Sequence, residues 1–280
     1  MSTQPAPESQ RLADLACAVA EEAGDLLMAG RGHVSVVQTK SSPTDVVTEM
    51  DRAAEDLIRR RLQAARPGDS ILGEERGQTG NAAMVRWIVD PLDGTVNYLY
   101  GLPEWAVSVA AEVDGVITAA AVCVPLQRSM FTATLGGGAW LRSAWLDGAQ
   151  RLSCNSGVPL ADALIATGFS YGAGQRAEQG KIVAEVLPRV RDIRRAGAAA
   201  VDLCSVAAGR VDGYYEQGVH YWDIAAGGLI AREAGAVVGG LRGQPAGEEL
   251  TLAADPVLFA ELQDLLARLG AGRPAADPRS

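Results

Sequence analysis

Histidine is nearly absent from this chain of 280 residues, which contains only His33 and His220. This scarcity argues against imidazole-rich zinc or iron sites, because such sites use several histidines. A serine-histidine triad would have to use one of these two residues, and no nucleophile-elbow motif accompanies either. The sequence therefore favours chemistry that other side chains perform.

Long hydrophobic runs and paired cysteines are also lacking. No apolar run approaches the roughly 20 residues of a membrane-spanning helix, and the polar start MSTQPAPESQ lacks the apolar core of a signal peptide. The four cysteines are widely scattered, a spacing that suits neither a zinc site nor a secreted disulfide framework. We therefore expect free thiols in a cytoplasmic protein that does not bind membranes.

Positive charge is scarce as well. The chain has 25 Lys and Arg against 34 Asp and Glu, and its formal net charge is −9. Nucleic acids and anionic membranes attract basic surfaces, so this balance argues against either as a general partner. It is compatible with a site that binds cations.

Hydrophobic periodicity divides the chain into two halves. Residues 9–150 carry two amphipathic helical patterns, over 11–30 and 53–65, followed by short strands that end in an antiparallel meander. In residues 151–270 strands alternate with helices, which indicates a layered α/β unit. The polar segment 152–160 is the expected boundary between the halves.

Two further expectations concern loops and ends. Residues 1–8 and 271–280 are expected to be disordered. The glycine run 136–138 has neither a following lysine nor a helix pattern, so we expect a hairpin turn there and not a phosphate-binding loop.

Acidic residues stand where the predicted elements begin or end. Taken singly, each has a structural explanation as a helix N-cap, a turn residue or a solvated surface pair. However, Asp90 and Asp93 lie three residues apart at the end of a buried strand that we expect to break at Pro91, and such close carboxylates repel. Something positive should hold them together. The acidic set consists of Asp45, Asp51, Glu74, Glu75, Asp90, Asp93 and Asp223.

Oxygen ligands of this kind suit a hard divalent cation. Mg²⁺ takes oxygen ligands in octahedral geometry and often sits among carboxylates beside a substrate phosphate. The turn at Gly94-Thr95 can present consecutive backbone N–H groups to a phosphate oxygen. Metal-assisted hydrolysis is therefore the leading chemistry.

Several motifs resemble those of the inositol monophosphatase family. WIVDPLDGTVNY (87–98) is preceded by ILGEE (71–75) and followed by YYEQGVHYWDIAAGG (214–228), in the family's order and approximate spacing. KSSPTDVVTEMD (40–51) matches the family's N-terminal motif. The resemblance implies an α/β (α+β) fold, a layered α-β-α-β-α sandwich of the inositol monophosphatase and fructose-1,6-bisphosphatase type. It also implies a homodimer that hydrolyses phosphate monoesters with Mg²⁺ and is sensitive to Li⁺.

The resemblance also assigns metal ligands. Asp90 would bridge two Mg²⁺ ions, and Glu74 and the backbone carbonyl of Leu92 would complete the protein ligands of the first. Asp93 and Asp223 would join Asp90 on the second ion. Glu74 would also touch a third, weaker ion.

The implied mechanism is direct in-line attack of water on phosphorus, without a phosphoenzyme. Thr95, hydrogen-bonded to Asp51, would orient and deprotonate that water beside Glu74. The amides of Gly94 and Thr95 would meet the phosphate oxygens. Lys40 falls in the segment that resembles the family's mobile loop.

The resemblance also indicates residues that would bind the substrate, but in less detail than the metal ligands. Glu216 matches the residue that accepts hydrogen bonds from inositol hydroxyls, and Ala199 matches a position whose backbone amide meets the sugar. Asp93 and Asp223 would also line this pocket. Many relatives have Ser or Thr where Ala198 stands, so one polar contact is expected to be missing. The favoured substrate is myo-inositol 1-phosphate, with other polyol or sugar phosphates also accepted.

Alternatives remain open at this stage. Histidinol phosphate is the nearest, because members of the superfamily hydrolyse it. Fructose 1,6-bisphosphate and 3′-phosphoadenosine 5′-phosphate are less favoured, because a second phosphate needs basic partners and the site region offers few beyond Arg194, Arg195 and Arg176. A different class of function is a regulatory binding protein of transcription complexes.

Overall fold

The computed structural model describes residues 7–32, 36–39, 46–80 and 83–272. The expectations for His33, Lys40 and Asp45 lie outside the described residues. Within the described ranges, no helix combines the length and the apolarity needed to cross a membrane.

Seven α-helices are found in the described ranges. They are α1 (Pro7–Gly30), α2 (Glu49–Ala65), α3 (Thr95–Tyr100), α4 (Ala173–Val186), α5 (Ala199–Ala207), α6 (Tyr221–Glu233) and α7 (Pro256–Leu269). The strands of the first half are β1 (Val36–Thr39), β2 (Val46–Thr48), β3 (Ser70–Gly73), β4 (Gly77–Thr79), β5 (Val85–Asp93), β6 (Ala106–Val113), β7 (Val116–Val124), β8 (Ser129–Thr134), β9 (Gly138–Ser143) and β10 (Ala149–Arg151). Those of the second half are β11 (Leu164–Thr167), β12 (Asp192–Arg194), β13 (Gly213–Glu216), β14 (Val237–Gly239) and β15 (Thr251–Ala254).

Strands β3 to β10 form one eight-stranded sheet, in the order β10-β9-β8-β7-β6-β5-β3-β4. The predicted meander is confirmed, because β5 to β10 pair antiparallel with their neighbours in sequence. Within this sheet β3 and β5 pair parallel, which brings the ends of both strands to the same edge of the sheet. The glycine run is the expected hairpin turn between β8 and β9, where the amides of Gly136 and Gly138 bind the carboxylate of Glu233.

The second half builds a five-stranded sheet in the order β12-β11-β13-β15-β14. Its first three strands are parallel, and β15 runs antiparallel to both of its neighbours. The alternation of strands and helices predicted for this half is confirmed. Strands β1 and β2 form a separate two-stranded sheet.

The helices and sheets stack in five layers. Helices α1 and α2 cover one face of the eight-stranded sheet, around the fully buried Trp87. Helices α5 and α6 lie between the two sheets, where Ile88 and Leu229 share one core and Tyr214 belongs to another. Helices α4 and α7 cover the outer face of the five-stranded sheet, around Leu252. The α-β-α-β-α sandwich implied by the sequence is therefore confirmed, while its division into domains at 9–150 and 151–270 stays a prediction.

Strand β5 passes through the middle of this stack, and both of its faces are buried. Trp87 points to the core under α1 and α2, whereas Ile88 points to the core under α5 and α6. This explains a continuous apolar run in place of strict alternation. The strand therefore carries its two aspartates into the interior.

Three sequence expectations are corrected. Helix α1 begins at Pro7 and Ala271 is buried, so the ordered chain extends beyond 9–270 at both ends. Helix α2 begins at Glu49 and not near residue 53, because Thr48 caps it. Strand β5 does not break at Pro91 but continues to Asp93, with an irregular register between Asp90 and Asp93 that absorbs the missing N–H of proline.

Candidate active site

The predicted site residues come from seven places in the fold, which are the start of α2, the loop after β3, the end of β5 and the ends of α3, α5, β13 and α6. Burial raises the pKa values of Asp90, Asp93 and Asp223, and the charges of neighbouring acids raise them further. These interactions place five residues in one electrostatic cluster: Glu74, Asp90, Asp93, Glu216 and Asp223. Glu74 and Asp223, the most distant pair of this cluster in sequence, lie 149 positions apart. Strand and helix ends are where a fold can bring polar groups together without breaking its hydrogen-bond ladders.

Asp90 is at the centre of this cluster. Its side chain is 1% exposed, and burial raises its pKa well above the ordinary value, with further contributions from Glu74, Asp93 and Asp223. Its Oδ1 accepts the backbone N–H of Leu92 at 3.0 Å, which fixes the orientation of the carboxylate. A hydrogen bond with Glu74 raises the pKa of Asp90 further.

Asp93 connects the first half of the chain to helix α5. Its Oδ2 accepts the backbone N–H of Ala200 at 2.7 Å, and the amide of Ala199 also lowers its pKa. Burial outweighs these contacts and, with the charges of Glu216 and Glu74, raises the pKa of Asp93 to about 7. The Ala199 amide thus acts on Asp93 in this structure, and its predicted contact with substrate stays a prediction.

Thr95 and Asp51 form a hydrogen-bonded pair. Thr95 Oγ1 donates to Asp51 Oδ1 at 2.9 Å and lies 3.2 Å from the carbonyl oxygen of Leu92. Burial raises the pKa of Asp51 to about 6, although the hydrogen bonds from Thr48 and Thr95 lower it. The pair predicted from the sequence is therefore present with hydrogen-bond geometry.

Helix capping holds Asp51 and Asp223 in place. Asp51 is the third residue of α2, and its Oδ2 accepts the N–H of the N-cap residue Thr48 at 2.8 Å. Asp223 has the same position in α6, where its Oδ2 accepts the N–H of His220 at 2.6 Å. Neither aspartate is itself an N-cap. Each uses one oxygen to cap the start of its helix, and the other oxygen of Asp51 accepts the hydroxyl of Thr95.

Gly94 allows the chain to turn from β5 into α3. It has φ of +90°, and a Cβ at this position would lie 2.9 Å from the carbonyl oxygen of Glu104. Both the left-handed conformation and the close approach require glycine. The turn presents the amides that follow it at the start of α3, beside the carboxylate cluster.

Glu216 forms the other side of the site. Its carboxylate packs against Gly168 and accepts the hydroxyl of Tyr214 at 2.9 Å. Burial raises its pKa to about 7, while Tyr214 and Arg195 lower it. Of the three basic residues considered from the sequence, Arg195 is the one that influences the site, because Arg194 pairs with Asp192 and Arg176 binds the carbonyl of Tyr171.

Three groups beside the site were not predicted from the sequence. Thr48 has a sequence signal, because it is the first residue of a T-x-x-D capping box. Asp202 lies in the first turn of α5, is 3% exposed, and its Oδ2 has no hydrogen-bond partner among the described residues. Glu55 is fully buried behind the Glu74 loop. No sequence signal distinguishes the last two from ordinary helix residues.

The cluster has the donor chemistry of a hard-cation site. In the described part of the chain, no group of three or more His, Cys, Asp or Glu side chains is arranged to hold a metal ion as it stands. However, the carboxyls around Asp90 are buried and raise each other's pKa, a situation that a divalent cation would reverse. Oxygen donors from Glu74, Asp90, Asp93 and Asp223 match the preference of Mg²⁺. The residues present therefore fit such an ion.

Comparisons with known proteins agree with this geometry. Residues 8–273 match the inositol monophosphatase family. An inositol-1-monophosphatase of Mycobacterium leprae is 46% identical over 269 residues, covering 93% of this chain and 91% of that protein. A solved structure of Mycobacterium tuberculosis SuhB superposes with a TM-score of 0.81 at 41% identity, covering 96% of this chain and all of that one.

A further relative carries a different name. The Nus factor SuhB of Xylella fastidiosa is 40% identical over 232 residues, which is 81% of each protein. The family match spans nearly the whole chain, and the solved relative has the same layered fold. The chain belongs to the inositol monophosphatase family and is an inositol monophosphatase-like phosphatase.

Proposed function

We propose that this protein is a Mg²⁺-dependent phosphomonoesterase that hydrolyses myo-inositol 1-phosphate, and related polyol or sugar phosphates, to the free alcohol and phosphate. The observation that carries the proposal is the position of Asp90. It is almost fully buried among three other acids that raise its pKa, an arrangement that needs a cation to be stable at neutral pH. The names of the relatives supply the ester.

We assign two Mg²⁺ ions to the cluster, and a third, weaker position beside Glu74. Glu74, Asp90 and the Leu92 carbonyl would hold the first ion. Asp90, Asp93 and Asp223 would hold the second. When bound, Mg²⁺ supplies a nucleophile near neutral pH by lowering the pKa of water and stabilises charge on the leaving oxygen.

Thr95 and Asp51 provide the proton transfer in this proposal. Thr95 Oγ1 already donates to Asp51 Oδ1, so its own oxygen can accept a proton from an attacking water while its hydrogen moves toward the carboxylate. Burial raises the pKa of Asp51 to about 6, which makes its carboxylate a stronger proton acceptor than that of an exposed aspartate. The attack is direct and in line, with no phosphoenzyme. The amides of Gly94 and Thr95 would bind the phosphate oxygens.

Glu216 and Ala199 recognise the alcohol. A carboxylate can accept hydrogen bonds from two adjacent hydroxyls, which suits a polyol ring. Packing against Gly168 and the hydrogen bond from Tyr214 fix the orientation of Glu216. Histidinol phosphate is the alternative substrate, because the same carboxylate would also attract its ammonium group. The backbone amide of Ala199 is proposed to contact the sugar.

The test is phosphate release from four esters: myo-inositol 1-phosphate, histidinol phosphate, fructose 1,6-bisphosphate and 3′-phosphoadenosine 5′-phosphate. Each is assayed with Mg²⁺, with EDTA, and with Mg²⁺ plus Li⁺. We expect Mg²⁺-dependent, Li⁺-sensitive hydrolysis with a preference for inositol 1-phosphate. A preference for histidinol phosphate would reassign the substrate while keeping the metal chemistry, and hydrolysis that persists in EDTA would refute the metal assignment.

A regulatory binding role is the second candidate, and the relative named Nus factor SuhB favours it. It predicts that components of the transcription machinery bind the protein in a pull-down and that Asp93→Asn does not weaken this binding. Absence of binding for both wild type and variant would remove the candidate.

The unpaired state of all four cysteines supports the proposed cytoplasmic location. A homodimer is also proposed, and light scattering after gel filtration would test it.

A further inference from the structure

Glu55 lies on the same face of helix α2 as Asp51, one turn further along. Residues four apart on a helix are neighbours on its surface, so a single face of α2 supports two parts of the site. Asp51 binds Thr95, whereas Glu55 points toward the loop that follows β3. The side chain of Glu55 is 0% exposed, although no predicted role in the reaction accounts for a buried charge there.

The carboxylate of Glu55 binds the backbone just after Glu74. Its Oε2 accepts the N–H of Glu75 at 2.7 Å, and its Oε1 accepts the N–H of Arg76 at 3.2 Å. On the other side, the N–H of Glu74 donates to the carbonyl of Val89 in β5 at 3.2 Å. The backbone that carries Glu74 is thus fixed from both directions.

Arg59 completes this support. Its Nε donates to Glu55 Oε1 at 2.6 Å, and its terminal nitrogens donate to Thr79 Oγ1 and the carbonyl of Gly77, both at 2.6 Å. The ion pair therefore binds both the turn that follows β3 and strand β4. Buried ion pairs add little net stability compared with apolar packing, so their specific geometry is the better explanation for their presence.

Gly73 makes the close approach possible. A Cβ at this position would lie 2.5 Å from Glu55 Oε1 and 2.8 Å from Arg59 Nη2. The backbone of Gly73 has no positive φ that would itself require glycine. Gly73 immediately precedes Glu74. Because it has no side chain, the ion pair of Glu55 and Arg59 can pack directly against the backbone at this point.

We propose that Glu55 is a positioning residue, which with Arg59 sets the place of the Glu74 carboxylate relative to Asp90 and so determines the affinity of the cation site. This inference rests on the proposed function, because Glu74 is a metal ligand only in that account. Outer partners that orient metal ligands change metal affinity or activity by roughly 10- to 100-fold when mutated. Removal of the Glu55 charge should therefore weaken Mg²⁺ activation without altering substrate recognition by Glu216.

The test compares Glu55→Gln with Asp56→Asn. Asp56 is the next residue of α2 and contacts the same loop, but from the surface, through the side chain of Arg76. For Glu55→Gln we expect the Mg²⁺ concentration at half-maximal activity to rise about 10-fold or more. Its KM for inositol 1-phosphate at saturating Mg²⁺ should stay within about 2-fold, as should every parameter of Asp56→Asn.

A second readout does not depend on activity. In metal-free protein, hydrogen exchange of the Glu75 and Arg76 amides should be about 10-fold faster in Glu55→Gln than in wild type or Asp56→Asn, because these amides lose a charged acceptor. If Glu55→Gln does not fold, Thr79→Val removes one Arg59 contact at the exposed end of the hairpin and should shift half-activation by roughly 2- to 3-fold.

The outcomes separate this inference from the function on which it rests. If hydrolysis by the wild-type protein does not depend on Mg²⁺, both the proposed function and the role of Glu55 are refuted. A wild-type protein that responds to Mg²⁺, with half-activation and amide exchange in Glu55→Gln equal to those of Asp56→Asn, would overturn the role of Glu55 alone. Loss of kcat with unchanged Mg²⁺ half-activation would also overturn it.

Discussion

Replacing Asp93 by Asn should stabilise the metal-free protein while abolishing its activity. Asp93 is 9% exposed, and burial with nearby carboxylates raises its pKa to about 7. A raised pKa in the folded state means that this acid favours folding when protonated, and that the benefit is lost as pH rises from about 4 through 7. At pH 8 without a cation, wild type must therefore hold a charge that the fold disfavours.

The magnitude follows from the pKa. A rise from 3.8 to about 7 corresponds to on the order of 4 kcal/mol, at about 1.36 kcal/mol for each pKa unit. Asn has nearly the same shape and keeps an oxygen for the Ala200 amide, but its NH₂ group gains no assured partner, which costs about 1–3 kcal/mol. We therefore expect a net stabilisation of about 1–3 kcal/mol at pH 8 in EDTA. At pH 4 we expect a net loss of about 1–3 kcal/mol, because Asp93 then carries no charge to remove while the NH₂ group still lacks a partner.

Thermal unfolding measures this directly. A gain of 1 kcal/mol shifts Tm by about 2–4 °C in a chain of this size. Saturating Mg²⁺, at about 100 times its Kd, should add about 2.7 kcal/mol to wild type and much less to Asp93→Asn, so the higher Tm of the variant should disappear or become the lower one. Asp114→Asn, an exposed aspartate in the β6–β7 turn, is the matched control and should behave as wild type.

Two results would refute this reasoning. Asp93→Asn could be less stable than wild type at pH 8 in EDTA, which would mean that the charge is compensated within the protein. Alternatively, Mg²⁺ could stabilise the variant as strongly as wild type, which would mean that Asp93 is not a ligand. Phosphate release from the variant should be undetectable, and near-wild-type activity would contradict the two-ion assignment.

Three further predictions follow from single contacts. Thr95→Ala should lower kcat by about 10²-fold, while Thr95→Ser, which keeps the hydroxyl, should retain most activity; an unchanged kcat in Thr95→Ala would show that another group positions the water. Glu216→Gln should raise KM for inositol 1-phosphate by roughly 10-fold but leave KM for p-nitrophenyl phosphate nearly unchanged, and equal effects on both esters would exclude a role in polyol recognition. Gly94→Ala should cost about 1–3 kcal/mol of unfolding free energy in denaturant titrations, because φ is +90° and the new Cβ meets Glu104; a change below about 0.5 kcal/mol would contradict the strain.

Much of the fold was accessible from local patterns in the sequence. The meander of β6, β7 and β8 and the alternating second half have clear periodicity and turn residues, and they were predicted correctly. The errors lie at the ends of elements, where contacts of individual side chains determine which residue is the first or the last. Helix α2 starts early because Thr48 and Asp51 cap one another, and β5 continues through Pro91 because the irregular register removes the need for the proline N–H.

For the site, the sequence indicated some of the residues and gave no sign of others. Asp90, Asp93 and Asp223 were singled out from motifs that resemble those of the inositol monophosphatase family, and their role as metal ligands stays a prediction. Helix α3 was not expected, since its six residues are too few to show a period. Glu55 and Asp202 were missed because their importance arises from burial beside residues that are distant in sequence, and burial is a property of the fold.

The measurement that tests the central claim most directly is the initial rate of phosphate release from myo-inositol 1-phosphate by wild-type protein as a function of Mg²⁺ concentration, starting from EDTA-treated protein. The account predicts no release in EDTA and a saturable rise with Mg²⁺, because the buried carboxylates around Asp90 need a cation before they can support the reaction. A rate that is the same with and without Mg²⁺ would contradict it.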